Sequence, residues 1–344
     1  DWHTPELTFS IITFNRPQSL QRLLHSLSTA LYFGDDTLHI RFNIEKEADD
    51  ETKRLAQSFS WTHGPLQIHQ RIVHGGLLSA IVESWYPHGN DSYGILLEDD
   101  VELSPLFYAW VKMNLLKYRY GTPSNISPNL FGISLYQQKN LELPIDGRRP
   151  FDAHTLFSSH SPPIPRNTPY LSSIPCSWGA VYFPEHWREF HSYLSTRLNT
   201  SINTDTDAEQ DLSTGGDPIV PNTRSHKWKH SWKKFFIELV HLRGYVMLYP
   251  NYASFTSLST NHLEAGSHVR PAMSPEKRKL FVLPLMQLPP ISASPLATGL
   301  LDLPREQLPH LPDLPVLNLT GCITTQDTLL QVGRQRVKEL GGVK

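Results

Sequence analysis

Apolar runs and helical repeats alternate over the first hundred positions of the chain. Residues 7–14 form a continuous apolar, β-prone run, as in a buried parallel strand. Leucines then recur three and four positions apart, which predicts an amphipathic helix: Leu20, Leu23, Leu24 and Leu27. Further strands are predicted at residues 38–44, 67–70 and 92–97, with helices between them. This alternation indicates a doubly wound α/β sheet, in which ligands bind beyond the carboxyl ends of the strands.

The pattern continues in the second half of the chain, where no internal repeat and no linker between independent domains is evident. Residues 199–217 are polar, which predicts a surface loop, and prolines crowd residues 144–175 and 284–315, as in segments that wrap a domain. The helix that precedes Gly244 is expected to end there, because glycine readily adopts the left-handed conformation of a helix cap. The predicted order is helix 105–118, strand 130–136, strand 178–183, helix from Pro184, helix 231–242 and a last strand 245–249.

Composition and charge narrow the class of protein. The chain has 344 residues, of which 39% are hydrophobic and 10% aromatic, enough to bury a sizeable core and too apolar for a disordered segment. A net charge of −2 gives no sign of a nucleic-acid partner. The sequence has no apolar run of 18 residues and no signal-peptide pattern at its start.

Two features bear on the compartment. Cys176 and Cys322 are the only cysteines, and the sequence leaves open whether they form a disulfide or are two buried thiols. Four N-glycosylation sequons favour a secretory-pathway protein; they begin at Asn90, Asn125, Asn199 and Asn318. Because the chain opens at Asp1 without a methionine, we expect a trimmed form that lacks a targeting or anchoring segment.

The strongest chemical signal is an acidic run at the end of a predicted strand. Glu98, Asp99 and Asp100 follow the apolar residues directly, and three adjacent carboxylates are costly to ionise together. A hard divalent cation such as Mn²⁺ or Mg²⁺ relieves that cost through oxygen ligands and also binds a diphosphate. A solvated acidic turn is the alternative interpretation of the same residues.

Residues 7–110 resemble the nucleotide-sugar half of GT-A glycosyltransferases, in particular N-acetylglucosaminyltransferase I and the family-2-like transferases. Those enzymes also carry Glu-Asp-Asp after an apolar strand, as their DxD element, and a helix follows that begins with a proline, here Pro105, and an aromatic residue. The resemblance implies that Asp100 is the direct metal ligand, that Asp99 holds the ribose or a metal-bound water, and that Glu98 supports the sugar.

Further site residues follow from the same resemblance. Arg16, after the first strand, matches an arginine near the nucleotide phosphates. The acidic run 45–51 falls where the family recognises the base, and Glu45 and Asp49 are the candidates. Many GT-A enzymes supply a histidine ligand from the region after the last strand, and His268 occupies that region here.

The acceptor side and the catalytic base are less determined. Sugars stack on indole faces, so three tryptophans are candidates for acceptor contacts, with a core position as the alternative for each: Trp178, Trp228 and Trp232. In inverting relatives, a carboxylate near the start of the later helix deprotonates the acceptor, but Lys233 and Lys234 occupy that stretch. Glu238 and Asp217 are the remaining candidate bases. A retaining mechanism needs no such base, so the stereochemical outcome stays open.

The predicted fold is a GT-A, Rossmann-like, doubly wound mixed sheet with an acceptor-side extension. Residues 1–110 are expected to form the nucleotide-sugar half, residues 111–275 the acceptor half of the same domain, and residues 276–344 a Pro-rich wrapping segment. The predicted activity is hexosyl transfer from a nucleotide sugar to a glycan, glycoprotein or glycolipid, with Mn²⁺ or Mg²⁺, in the secretory pathway and there in the Golgi lumen. Membrane contact is expected only through an anchor absent from this chain. A sugar-nucleotide nucleotidyltransferase and a non-catalytic GT-A-like binding protein are the alternatives.

Overall fold

The computed structural model of the protein describes residues 2–202, 218–228, 231–264, 274, 279–289 and 298–341. Its strands are β1 (Glu6–Thr13), β2 (His39–Ile44), β3 (Leu66–Gln70), β4 (Ser92–Glu98), β5 (Val101–Leu103), β6 (Leu130–Ser134), β7 (Asn140–Leu141), β8 (Arg149–Pro150), β9 (Tyr170–Ser172), β10 (Ala180–Tyr182), β11 (Val246–Tyr249), β12 (Ser259–Asn261), β13 (Val316–Leu317) and β14 (Ile323–Thr324). Its helices are α1 (Pro17–Thr29), α2 (Asp50–Ser58), α3 (Gly76–Val82), α4 (Phe107–Tyr118), α5 (Ala153–Ser158), α6 (Pro184–Ile202), α7 (Trp232–Arg243) and α8 (Gln326–Glu339). As predicted, strands and helices alternate through β4.

One ten-stranded sheet forms the centre of the molecule, in the order β14-β13-β9-β11-β6-β10-β4-β1-β2-β3. β1 pairs in parallel with β2 and β4, and β2 pairs in parallel with β3. β10 runs antiparallel between β4 and β6, whereas β11 is parallel to β6. The predicted α/β class with a doubly wound mixed sheet is confirmed.

The register of the parallel strands brings their carboxyl ends to one edge of the sheet. Thr13 pairs with Ile44 across β1 and β2, and Ile12 pairs with Glu98 across β1 and β4. The turns that follow these parallel strands therefore leave the sheet on the same side. This places the turn after Thr13 next to the acidic run that begins at Glu98.

Helices cover both faces of the sheet and bury two cores. Phe9 and Ile11 of β1 face the core under α1 and α4, whereas Ile12 faces the core formed with α3, α6 and α7. α1 buries the leucines whose spacing predicts it. Trp110 in the first core and Trp187 in the second are fully buried. The alternation of strand side chains thus fixes which helices lie on which face.

The sheet continues beyond β11, which the sequence predicts to be the last strand. β13 adds to β9 in parallel, whereas β12 pairs with β5 in a separate two-stranded sheet. These strands have two or three residues each, too few to show an alternating pattern in the sequence. α8 packs against α7, which ends at Gly244 with φ of 66°, so the predicted glycine cap is confirmed.

Three other sequence-based expectations can be compared with the structure. Residues 199–202 of the predicted surface loop continue α6, and residues 203–217 lie outside the described residues. Cys176 is buried and Cys322 is exposed, and both are free thiols, so they do not form the disulfide that the sequence left open. Across the described parts of the chain, no helix has the length and apolar character needed to cross a membrane.

Candidate functional site

A cavity of about 410 Å³ opens at the edge of the sheet where β1, β2 and β4 end. Its walls include Arg16 in the turn after β1, Glu45 after β2 and Arg71 after β3. Glu98 and Asp100, at the end of β4, line the same space. The cavity therefore lies where doubly wound sheets bind their ligands.

Asp99 lies beneath the cavity and does not line it. Its side chain is fully buried, and Oδ2 accepts a hydrogen bond of 2.8 Å from the hydroxyl of Thr13. Oδ1 forms an ion pair with the guanidinium of Arg16. Asp99 thus fixes Arg16 at the cavity wall. The predicted contact of Asp99 with a ribose or a metal ion stays a prediction.

Asp100 does reach the cavity, and two elements far apart in sequence orient it. Oδ1 accepts a hydrogen bond of 3.0 Å from the side-chain amide of Asn261, at the end of β12. Oδ2 lies 3.5 Å from the guanidinium of Arg16. The backbone carbonyl accepts a further bond of 2.9 Å from the nitrogen of His262. The carboxylate is therefore held in a fixed orientation at the cavity wall.

The charge of the acidic run is only partly balanced within the protein. Burial raises the pKa of Glu98 to about 8, and the carboxylate of Asp100 adds to that rise. Burial also raises the pKa of Asp100, although Arg16 and Asn261 act in the opposite direction. A positive group that entered the cavity would lower both pKa values, because it stabilises the ionised carboxylates.

The oxygen atoms on this wall fit an ion that takes part of its ligands from a substrate. Glu98, Asp100 and Glu264 line the same cavity, and carboxylate oxygens are the ligands that Mg²⁺ and Mn²⁺ prefer. Mg²⁺ is usually held by one or two carboxylates together with substrate phosphates. His268, the predicted histidine ligand, lies outside the described residues.

A second group of possible ligands lies at the opposite rim of the cavity. Within the described residues, three side chains come close enough to share an ion only at Glu45, Glu47 and His74. Nδ1 of His74 is 3.0 Å from Glu47 and 3.9 Å from Glu45. Nε of Arg71 is also 3.9 Å from Glu45, whose side chain is only 8% exposed. Glu45 is thus a largely buried hydrogen-bond acceptor at the β2–β3 side of the cavity.

Asp49, the other candidate for base recognition, has a structural role. Its carboxylate accepts hydrogen bonds from the backbone nitrogen of Thr52, at 2.7 Å, and from the hydroxyl of the same residue, at 3.1 Å. These are the contacts of a helix N-cap, and α2 begins at the next residue. Asp49 does not line the cavity, and its predicted contact with the base stays a prediction.

Trp178 lies at the same edge of the sheet, on the other side of β4. The register of β10 with β4 sets Trp178 and Glu98 at the same end of the strand pair. The half-buried indole has its ring centroid 4.7 Å from that of Tyr136 and 5.3 Å from that of Phe281. The ammonium of Lys233 lies 5.5 Å from the indole centroid. An aromatic surface with a cation therefore adjoins the cavity.

The two other candidate tryptophans lie elsewhere. Trp232 is 3% exposed and packs against the rings of Tyr182, Trp187 and Phe236. It is a core residue, and its predicted contact with an acceptor stays a prediction. Trp228 is half-buried against a small separate core and does not line the cavity, so its acceptor role stays a prediction.

Glu238, the candidate base on α7, is enclosed by partners. Its side chain is buried, and Oε2 accepts hydrogen bonds from the hydroxyl of Tyr193, at 2.8 Å, and from Nε of Arg197, at 3.1 Å. These contacts tie α7 to α6, and Glu238 does not line the cavity. Its role as a base stays a prediction. Asp217, the other candidate, lies outside the described residues.

Several residues of the site are not identified by sequence patterns. Asn261 reaches Asp100 across 161 positions of sequence, through the pairing of β5 with β12. Glu264 lines the cavity a few residues later. Arg71 is not predicted either, but the sequence contains a signal for it. It directly follows the predicted strand 67–70, and residues that follow parallel strands reach the ligand edge.

A comparison with protein families shows to which family the chain belongs. The family model of the SPBC1E8.03c C-terminal domain matches residues 18–143 and 149–202, just over half of the chain. The chain belongs to the SPBC1E8.03c C-terminal domain family. The matched residues include the acidic run at the end of β4 and Trp178 of this family member. No curated protein matches the chain.

Solved structures show only distant similarity to this member of the SPBC1E8.03c C-terminal domain family. The mannosyltransferase PcManGT from Pyrobaculum calidifontis, in complex with GDP-Man and Mn²⁺, is 12% identical, with coverage of 54% of this chain and 46% of that one and a TM-score of 0.35. S. aureus TarS 1-349 in complex with UDP-GlcNAc is 10% identical, with coverage of 80% and 64% and a TM-score of 0.39. The chain covers less than two thirds of either structure. Scores this low do not decide what the cavity binds.

Proposed function

We propose that the protein is a glycosyltransferase of the GT-A type that binds a nucleotide sugar and a divalent cation in the cavity at the ends of β1, β2 and β4. One observation carries the proposal: Arg16, Glu98 and Asp100 lie on the wall of a single cavity at this edge of the sheet. A guanidinium and an ion held by carboxylates give a diphosphate two positive partners.

The nucleoside is assigned to the β2–β3 side of the cavity. Glu45 is an acceptor-only carboxylate there, suited to an N–H group on the edge of a base. Phe14, also on the cavity wall, is 39% exposed and offers an aromatic face. Arg71 lies beside Glu45 at this end, and Arg16 lies beside the acidic run, where we place the diphosphate.

The cation is assigned to Asp100, with Glu98 beside it. Mn²⁺ or Mg²⁺ at this position would neutralise charge on the diphosphate as the bond to the sugar breaks. Arg16, oriented by Asp99, donates hydrogen bonds to the same phosphate oxygens. The raised pKa values of the two cavity carboxyls support this assignment, because a bound cation relieves their repulsion.

The acceptor is assigned to the β10 side, where Trp178 offers an indole face to a sugar ring. We propose a glycan, glycoprotein or glycolipid as its class, and hexosyl transfer in the secretory pathway, with the Golgi lumen as the compartment. The sequons support the compartment and the half-buried indole supports a carbohydrate acceptor.

Thermal unfolding with a panel of nucleotide sugars, including UDP-GlcNAc and GDP-mannose, tests the proposal. At a concentration of 100 times Kd, a donor is expected to stabilise the protein by about 2.7 kcal/mol. This stabilisation should require Mn²⁺ and should be lost in Asp100→Asn, while the exposed control Asp36→Asn keeps it. If no nucleotide sugar stabilises the protein, the function is wrong; if EDTA leaves the stabilisation intact, the cation is wrong.

A further inference from the structure

A second charged cluster lies beside Trp178, outside the donor cavity. Glu142 directly follows β7 and Arg148 directly precedes β8, so the β7–β8 pair holds both at its end. Oε2 of Glu142 accepts a hydrogen bond of 2.5 Å from Nζ of Lys233. Oε1 accepts one of 3.3 Å from the guanidinium of Arg148. Lys233 in turn lies over the indole of Trp178, so carboxylate, cation and aromatic face form one group.

Lys233 connects this cluster to the donor cavity. Its ammonium bonds to Glu142 and lies over the indole of Trp178, which is at the same end of the β10–β4 strand pair as Glu98. Glu98 lines the cavity, so the cluster lies on the β10 side of the cavity wall. Lys233 and Glu142 adjoin the β10 side of β4, whereas Arg16, assigned to the diphosphate, follows β1 on the opposite side. The two groups thus approach the end of β4 from opposite directions.

Glu142 is an ionised carboxylate that keeps some contact with solvent. Burial opposes its ionisation, but Lys233 and Arg148 outweigh this and hold the pKa of Glu142 below its usual value. The side chain is 12% exposed. A sugar stacked on Trp178 would therefore have a proton acceptor beside it.

We propose that Glu142 is the base of the transfer reaction, an inference that rests on the glycosyltransferase function proposed above. Its carboxylate takes the proton of the acceptor hydroxyl, and the hydroxyl oxygen forms a bond to the anomeric carbon of the donor. The bond from that carbon to the diphosphate oxygen breaks, and the nucleoside diphosphate leaves with the electron pair. Attack from the side opposite the diphosphate inverts the anomeric configuration.

Lys233 and Arg148 act as positioning residues in this reaction. They hold the carboxylate of Glu142 in place and keep it deprotonated near neutral pH. Inverting GT-A enzymes carry a carboxylate near the start of the helix that corresponds to α7. Here Lys233 occupies that stretch and holds the carboxylate of Glu142, which comes from the end of β7. Glu238 lacks these features, because its contacts with Tyr193 and Arg197 lie between α6 and α7 and not beside the acceptor surface.

The first test replaces Glu142 by glutamine in the full chain, with water as the acceptor. The probe is the nucleotide sugar that stabilises the wild type most, and the measurement is release of nucleoside diphosphate. Turnover of Glu142→Gln should fall by roughly 10²–10⁴-fold, while the Kd for the donor stays unchanged. Glu189→Gln is the matched control, because Glu189 also pairs with an arginine, Arg243 at 2.7 Å, but away from the cavity. Its turnover should equal that of the wild type.

Two more variants separate a base from a structural residue. Azide needs no deprotonation, so it should restore nucleoside diphosphate release in Glu142→Ala and yield a glycosyl azide of inverted configuration. Arg148→Gln removes a partly exposed cation from Glu142, which raises the pKa of that carboxyl. The acid limb of the pH–rate profile should therefore move to higher pH by a few tenths of a unit, about the effect of one exposed ion pair.

The outcomes distinguish this inference from the function on which it rests. Normal turnover of Glu142→Gln, no rescue by azide, an unmoved acid limb in Arg148→Gln, or a product that retains the donor configuration would each overturn the role of Glu142. In those cases donor binding by the wild type leaves the proposed function standing. A wild type that neither binds nor cleaves any nucleotide sugar overturns both.

Discussion

The hydroxyl of Thr13 donates a hydrogen bond of 2.8 Å to Oδ2 of Asp99, across the two parallel strands at the centre of the sheet. Both side chains are almost completely buried, at 3% and 0% exposure. This bond and the ion pair with Arg16 both stabilise a carboxylate that is fully buried. Asp99 is therefore part of the framework that orients the cavity wall.

Removal of that hydroxyl should destabilise the fold. Thr13→Val keeps the shape of the side chain and leaves one oxygen of Asp99 without its donor, which is expected to cost about 1–3 kcal/mol. Urea unfolding measures the change. Thr29→Val is the control, because Thr29 is exposed on α1 and its hydroxyl bonds only to its own helix, so a change within about 0.5 kcal/mol is expected. Equal stability of the two variants would contradict the framework role.

The free energy of unfolding should depend on pH because Glu98 has different pKa values in the folded and the unfolded protein. Burial raises the pKa of Glu98 from the usual 4.5 to about 8. Between these values the folded protein keeps a proton that the unfolded chain releases, so the free energy of unfolding falls as the pH rises from about 4.5 to about 8. Glutamine is neutral at every pH, and Glu98→Gln should therefore be more stable than the wild type at pH 8 and lose this dependence.

Urea midpoints at pH 5 and pH 8.5, in the absence of nucleotide and divalent cations, provide the measurement. The exposed residue Glu306 supplies the control variant Glu306→Gln, which should follow the wild type at both pH values. Parallel pH dependence of Glu98→Gln and the wild type would show that Glu98 does not bind the extra proton.

Substitution of Gly244, at the junction between α7 and α8, should destabilise the fold. This glycine has φ of 66°, and a Cβ there would lie 2.9 Å from the nitrogen of Leu330 in α8. Gly341 has φ of 76° and open space around the same position. Both alanine variants bear the left-handed strain of about 1–2 kcal/mol. Gly244→Ala should lose about 1–3 kcal/mol more, because α8 has to shift. Equal losses in urea unfolding would show that α8 does not pack at this site.

The proposed compartment predicts a selective glycosylation pattern. Asn90 is exposed, whereas Asn125 is 3% exposed and its side-chain nitrogen donates to the hydroxyl of Thr122. In protein purified from its own host, mass spectrometry of peptides should find a glycan on Asn90 and none on Asn125. An unmodified Asn90 would contradict the secretory assignment, and a glycan on Asn125 would contradict the packing around it.

The sequence predicts the first half of the fold well because its elements are long and periodic. β1, β2 and β4 each bury a continuous run of residues and α1 buries a regular stripe of leucines, and local patterns identify both. The cavity residues found from the sequence are those that directly follow such strands: Arg16, Glu45, Glu98 and Asp100. The acidic run is predicted from its position after a strand, whereas Arg16 and Glu45 are predicted from the resemblance to GT-A glycosyltransferases. Strand direction brings all four residues to one edge of the sheet.

The remaining residues depend on contacts that leave no local pattern. Asn261 belongs to a three-residue strand, and only its pairing with β5 brings it to Asp100. Glu142 follows a two-residue strand and is placed by its pairing with Lys233. Trp232 is a different case, because the sequence marks an aromatic side chain but not the face of the helix that becomes buried.

β10 runs against both of its neighbours, β4 and β6. A parallel strand presents to the ligand edge the residues that come after it, but a reversed strand presents those that come before it. Trp178 accordingly arrives from the connection between β9 and β10, whereas Arg16 and Asp100 depend on β1 and β4. That connection can change in sequence or length without moving the opposite wall of the cleft. Under the proposed glycosyltransferase function, such a change alters the acceptor side and leaves the donor side as it is.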